Sequence, residues 1–292
     1  MIPEAVMREL RYIEVATARK IRNQRVGTYQ SPLRGPGFDF DEHQAYRPGD
    51  DVRRIDWNVT ARMGTPFVRH THAEREMNVM VAMDVSRSMT LGSAAHSKRE
   101  ALTYISASIL FSAISDQINA GFLAFADRVL MSAPPKRTRA SAWTVLEQAW
   151  ALESSSSRTL MLPAVRQLMT SLKRMSVIFL VSDFVTDDAV LTSPELALLA
   201  AKHDVIAVVP EDRSETELPA GSGYVQMRDA ESGRRVAVGL GRQARAGYAA
   251  AIEQRRHDLA RAFYRVPMDH VFVPTTGSPV LPVLSLFARR KA

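Results

Sequence analysis

The sequence predicts an α/β protein built on a doubly wound, mostly parallel sheet. Three observations carry that reading. Apolar runs at residues 79–83, 177–181 and 205–209 are bounded by polar residues and suit strands buried on both faces. Segments with helical spacing stand between those runs, which gives the alternation of a parallel sheet covered by helices. The first two runs end in acids, Asp84 and Ser182-Asp183, at the carboxyl ends where open parallel sheets gather their ligands.

The elements follow in order. Val6, Leu10, Ile13 and Ala16 recur at helical steps, so residues 4–22 are expected to form a helix. Residues 27–49 are rich in Gly, Pro and Asp, with Tyr29, Phe38, Phe40 and Tyr46 interleaved. They predict short strands and turns, and Arg47-Pro48-Gly49-Asp50 reads as a turn. An extended segment at 68–76 leads into a strand at 79–83, a helix at 97–115 and a strand at 119–125. A short strand at 128–132 comes so soon afterwards that it is expected at an edge. Helices at 141–152 and 160–173 flank the loop Ser154-Ser155-Ser156-Ser157. A strand at 177–181, a helix at 194–202 and a strand at 205–209 continue the alternation. Residues 224–227 and 234–238 flank Gly233 and read as a hairpin. A helix at 243–263 and a strand at 268–273 complete it. The expected organisation is an N-terminal helix and β-rich segment over 1–78, an α/β domain over 79–276 and a tail over 277–292.

The 292-residue chain has no cysteine, which excludes disulfides, thiolate metal sites and cysteine nucleophiles. Its net charge of +7 comes from scattered basic residues and suits a solvated surface more than a nucleic-acid-binding block. No segment approaches the roughly 20 apolar residues needed to cross a bilayer, and the start lacks a signal-peptide layout. A cytoplasmic protein is expected.

Chemistry concentrates in Asp84-Val85-Ser86-Arg87-Ser88. One carboxylate and two hydroxyls at alternate positions can converge on a hard cation of the magnesium class, which takes oxygen ligands. Such a shell leaves charge on the ion and a position open to an external carboxylate. Asp183 would lie close by if its strand neighbours the first, and two like charges there call for a cation between them. Thr159 is the best remaining hydroxyl donor. The same residue types also suit helix capping, so the residues alone leave both readings open.

Asp84-x-Ser86-x-Ser88, with Thr159 and Asp183 downstream, resembles the metal-ion-dependent adhesion site of von Willebrand factor type A domains. The resemblance spans about residues 77–275. It implies a doubly wound fold, a bound Mg2+ (with Mn2+ or Ca2+ as substitutes), and recognition of an acidic side chain on a partner. It assigns metal-binding roles to Asp84, Ser86, Ser88, Thr159 and Asp183. Glycine often neighbours the threonine in that family, whereas Arg158 and Leu160 stand here.

A second resemblance precedes it. Arg34-Gly35-Pro36-Gly37, Tyr46-Arg47-Pro48-Gly49-Asp50-Asp51, Arg53-Arg54-Ile55-Asp56-Trp57 and Ala61-Arg62 are similar to the bacterial family known as domain of unknown function 58. That resemblance implies a MoxR-type AAA+ ATPase as partner. From the residues alone, Asp50, Asp51 and Asp56 among Arg47, Arg53, Arg54 and Arg62 predict an ion-pair network holding the segment against the sheet domain, with Trp57 packed beneath.

The expected function is therefore a non-enzymatic binding module, in which magnesium captures an acidic residue of a client or ATPase partner. A metal-dependent phosphohydrolase is one alternative, although Ser86 stands where such enzymes carry a second acid. Non-specific nucleic-acid binding is another, without a recognisable module. His70 and His72 share a strand face but have no third ligand in view. Trp143 and Trp150, seven apart, are expected in the core. The chain contains no Walker A motif.

Overall fold

A computed structural model describes residues 2–12, 39–48, 50–72, 77–92, 97–152, 156, 158–228, 233–279, 281–283 and 285. The chain divides into two compact units, residues 24–76 and residues 1–23 together with 77–292.

The larger unit is built on a six-stranded sheet. Its strands are β3 (Asn78–Asp84), β4 (Asn119–Phe125), β5 (Val129–Lys136), β6 (Ser176–Val181), β7 (Asp204–Glu211) and β10 (Asp269–Pro274). Their spatial order is β10-β7-β6-β3-β4-β5, and every pairing is parallel except β4 with β5. Counted in chain order within the sheet, this is the 3-2-1-4-5-6 order of doubly wound folds, reversing between β3 and β6.

The buried residues explain the layers. Alternate residues of β3 point to opposite faces: Val79, Val81 and Met83 enter one core, and Met80 and Ala82 the other. On the first face lie α3 (Lys98–Ser115) and α4 (Arg139–Ala151). Ile2, Val6 and Leu10, in and just before α1 (residues 4–12), join the same core. The α3 helix is buried almost all round, and a reciprocal capping box between Ser97 and Glu100 fixes its start. On the second face lie α5 (Leu162–Ser171), α6 (Pro194–Lys202) and α8 (Arg242–Arg265). The α8 helix buries only Leu259 and Phe263, so a narrow stripe attaches it. Trp143 and Trp150 are only half-buried at the margin of the first core, where Trp143 meets Phe111 at 5.2 Å between ring centres.

Most expected elements form within a few residues of their expected bounds. The edge strand is the clearest extension. β5 continues to Lys136 through Pro134 and Pro135, which an edge tolerates because one side of the strand has no ladder to complete. On β4, Gly121 is needed for close approach, since a Cβ there would lie 2.6 Å from Met80 Sδ and 2.9 Å from Pro135 N. The hairpin β8 (Tyr224–Arg228) with β9 (Arg235–Gly239) forms a separate antiparallel pair. A four-residue helix, α7 (Arg213–Thr216), follows β7.

The smaller unit pairs β1 (Asp39–Ala45) with β2 (Phe67–His72) in antiparallel register. Between them lies α2 (Trp57–Met63), which the sequence reading did not foresee. Asp56 caps its first turn by accepting from the Asn58 and Val59 amides, and Gly64, at φ 72°, closes it in the left-handed region. Two further expectations are corrected here. Trp57 is 68% exposed, because it opens a helix whose residues are all at least partly exposed. Asp50 and Asp51 act as local caps, accepting from the amides of Arg47 and Arg53. The phrase at 34–37, the side chains of His70 and His72, the helix expected over 13–22, and Arg289 to Lys291 lie outside the described residues.

Candidate metal centre

The carboxyl edge of the sheet collects polar residues where its strands stop. Asp84 is the last residue of β3, Ser182 and Asp183 follow β6, and Asp212 follows β7. The reversal of strand order falls between β3 and β6, so Asp84 and Asp183 flank the crevice that doubly wound folds open to ligands.

Asp84 is fully buried. Its Oδ1 accepts from the Ser86 amide at 2.8 Å and its Oδ2 from the Ser182 hydroxyl at 2.8 Å. Burial, reinforced by the negative charge of Asp183, pushes the Asp84 carboxyl up to about 7, while hydrogen bonds from Ser86 and Ser182 pull the other way. Ser86 is 1% exposed and opens a 3-10 turn over Arg87–Thr90, yet its side chain caps nothing there. Its hydroxyl lies 3.1 Å from that of Ser88 instead. Capping therefore does not explain the Ser86 side chain.

Thr159 is buried on the loop before α5. That loop is pinned to the end of β4 by the Leu160 amide donating to the Ala126 carbonyl at 2.8 Å. Thr159 and Asp187 exchange two hydrogen bonds, from the Thr159 amide to Asp187 Oδ2 and from the Asp187 amide to the Thr159 carbonyl.

Asp183 is 5% exposed and differently engaged. Its Oδ2 accepts from Lys98 Nζ at 2.9 Å and its Oδ1 from the Val185 amide at 3.0 Å. The Lys98 side chain, the first of α3, has no solvent exposure and also donates to both Glu215 oxygens at 2.8 Å. Burial pulls the Lys98 ammonium down, but Asp183 and Glu215 outweigh it and hold it above the ordinary lysine range. Burial also raises Glu215, against the pull of Lys98. Phe184, directly after Asp183, sits at φ 56°, an uncommon region for a non-glycine residue. Its amide donates to Ser182 Oγ and its ring packs edge-on to Phe263 at 4.9 Å, which holds the turn.

The structure thus sets Ser86 against Ser88, puts Asp84 within the field of Asp183, and holds Thr159 on the loop beside β4. Sequence reasoning missed Ser182, Lys98 and Glu215. Ser182 stood beside a chosen acid, whereas nothing local marked Lys98 or Glu215.

The donor set fits magnesium. Six oxygens at about 2.0–2.1 Å in an octahedron lie about 3 Å from their neighbours. Ser86 Oγ and Ser88 Oγ share a hydrogen bond at 3.1 Å, a separation that two neighbouring ligands of one ion would also have. Each Asp84 oxygen keeps a second lone pair beyond its hydrogen bond. Among the described residues no group of three or more His, Cys, Asp or Glu side chains is placed to hold a metal.

Relatives of this chain are uncharacterized proteins. Rv1480 of Mycobacterium tuberculosis and Mb1516 of Mycobacterium bovis are each 31% identical over 255 residues, covering 86% of this chain and 79% of theirs. Among solved structures, the conserved hypothetical protein BatB from Bacteroides thetaiotaomicron aligns at 16% identity and a TM-score of 0.46, covering 74% of this chain and 100% of that one. A von Willebrand factor type A protein from Catenulispora acidiphila aligns at 13% identity and a TM-score of 0.36, covering 49% of this chain and 35% of that one. A family profile matches residues 42–258, and on that match the chain belongs to the family described as protein of unknown function DUF58.

Proposed function

We propose that the edge between β3 and β6 is a magnesium site of the von Willebrand type A kind, through which the protein captures an acidic side chain of a protein partner without catalysing a reaction. Asp84, Ser86 and Ser88 hold the ion, and Thr159 and Asp183 stand around it. The observation that carries this reading is the buried Asp84 carboxylate, which accepts from neutral donors only and lies beside two hydroxyls at ligand spacing. An ion bound there supplies a Lewis-acidic position for an incoming carboxylate. The rim suits a protein surface: Leu91, after the serine turn, is 38% exposed, and Val185, after Asp183, is 55% exposed.

A MoxR-type AAA+ ATPase is the partner we propose, with an acidic client as the second. No helix among the described residues is long and apolar enough to cross a membrane, and we place the site in the cytoplasm with that ATPase. The test is binding of this protein to the ATPase by calorimetry, with magnesium, with chelator, and with Asp84→Ala. Binding should require magnesium and fall about a hundredfold or more in the variant. Equal affinity in all three arms removes the metal-bridged contact.

A further inference from the structure

We infer that Lys98 is a specificity-determining residue of the metal centre: by occupying Asp183 it keeps that carboxylate off the ion, so the centre holds its metal loosely and reserves charge for an external acid. This rests on reading the β3–β6 edge as a magnesium site.

The two acids of that edge are served by different donors. Asp84 meets an amide and a hydroxyl, whereas Asp183 meets an ammonium at 2.9 Å and an amide at 3.0 Å. Lys98 cannot turn to water, having no solvent exposure, and Glu215 holds it from the other side with both oxygens. Glu215 is itself located, because Tyr248 of α8 donates to its carbonyl at 2.7 Å. The Arg255 guanidinium donates to the Asp183 carbonyl at 2.9 Å, which further fixes the loop. The ammonium is therefore built in between two acids, Asp183 on the turn after β6 and Glu215 on α7. That contact neutralises the Asp183 charge, so the carboxylate is a weaker ligand while the ammonium stays.

Removing the ammonium should free Asp183 to join the shell, directly or through water. Metal affinity then rises, and one position otherwise left to water or to a partner is filled. A lysine that serves only packing or stability predicts no such gain.

The experiment is calorimetric titration of the full chain with magnesium chloride, comparing wild type, Lys98→Met, Asp183→Asn and the double variant. Water-proton relaxation with manganese counts the waters remaining on the ion. Lys98→Met should bind magnesium about tenfold more tightly, in the range reported for residues that act behind the ligands, and carry fewer bound waters. Asp183→Asn alone should change affinity little, and in the double variant the gain should vanish. Where Lys98→Met fails to fold, Lys98→Met/Glu215→Gln removes one of the acids left without a partner and is read the same way. A wild type that takes up no magnesium sinks the site reading and this inference together. A wild type that binds, with a folded Lys98→Met that binds no tighter, overturns this inference alone. A gain that survives in the double variant overturns it as well, because Lys98 then does not act through Asp183.

Discussion

Asp84 and Asp183 end neighbouring strands of one sheet and meet opposite surroundings. Asp183 has a covalently tethered cation, and Asp84 has two neutral hydrogen-bond donors and the charge of its neighbour. A buried carboxylate with no countercharge is costly when ionised and is driven toward its protonated form. The protein has thus given one acid an internal countercharge and the other none. Proximity at a sheet edge does not make two acids equivalent when a fixed cation stands beside one and not the other.

The sharpest way to break that contrast is to remove the internal cation. In chelator, Lys98→Met leaves Asp183 and Glu215 buried without it and should cost about 3–5 kcal/mol in urea unfolding. Asp84→Asn under the same conditions should cost nothing at neutral pH. Comparable losses in the two variants would erase the distinction.

A second effect comes from pH. The folded-state pKa of Asp84 lies near 7, above the 3.8 of the free side chain, so the native protein binds more protons than the unfolded chain between those values. Its contribution to stability is therefore greatest at low pH and is lost as pH rises toward 7. Without metal, Asp84→Asn should gain on wild type by about 3 kcal/mol between pH 5 and pH 8. Saturating magnesium should hold Asp84 ionised and flatten that difference. A gap independent of pH would mean that Asp84 has a countercharge after all.

Smaller effects sharpen the picture. Ser182→Ala deletes the hydroxyl that serves Asp84 Oδ2 and should cost about 1 kcal/mol, with a parallel loss of magnesium affinity. Trp57→Ala, in the other unit and far more exposed, should fall within about 0.5 kcal/mol of wild type. A large loss there would show that the indole is covered in solution.

The strands were legible because buried parallel strands are written as continuous apolar runs, and 79–83 and 119–125 needed little adjustment. The serine motif was legible because it is local, with its three side chains inside five residues. Lys98 was not, since 85 residues separate it from Asp183 and 117 from Glu215, and a lysine opening a helix reads as a solvated charge. The α2 helix was hidden by its Gly-, Pro- and Asp-rich surroundings. Its signals were Asp56 before it and Gly64 after it, a start and a stop enclosing only seven residues.

The two prolines of β5 carry a consequence for how copies of this protein can meet. Successive amides of a strand face opposite sides, so one of Pro134 and Pro135 leaves the free margin of the sheet short of a donor and makes it a poorer template for an added strand. Growth of the sheet from molecule to molecule is discouraged on that side.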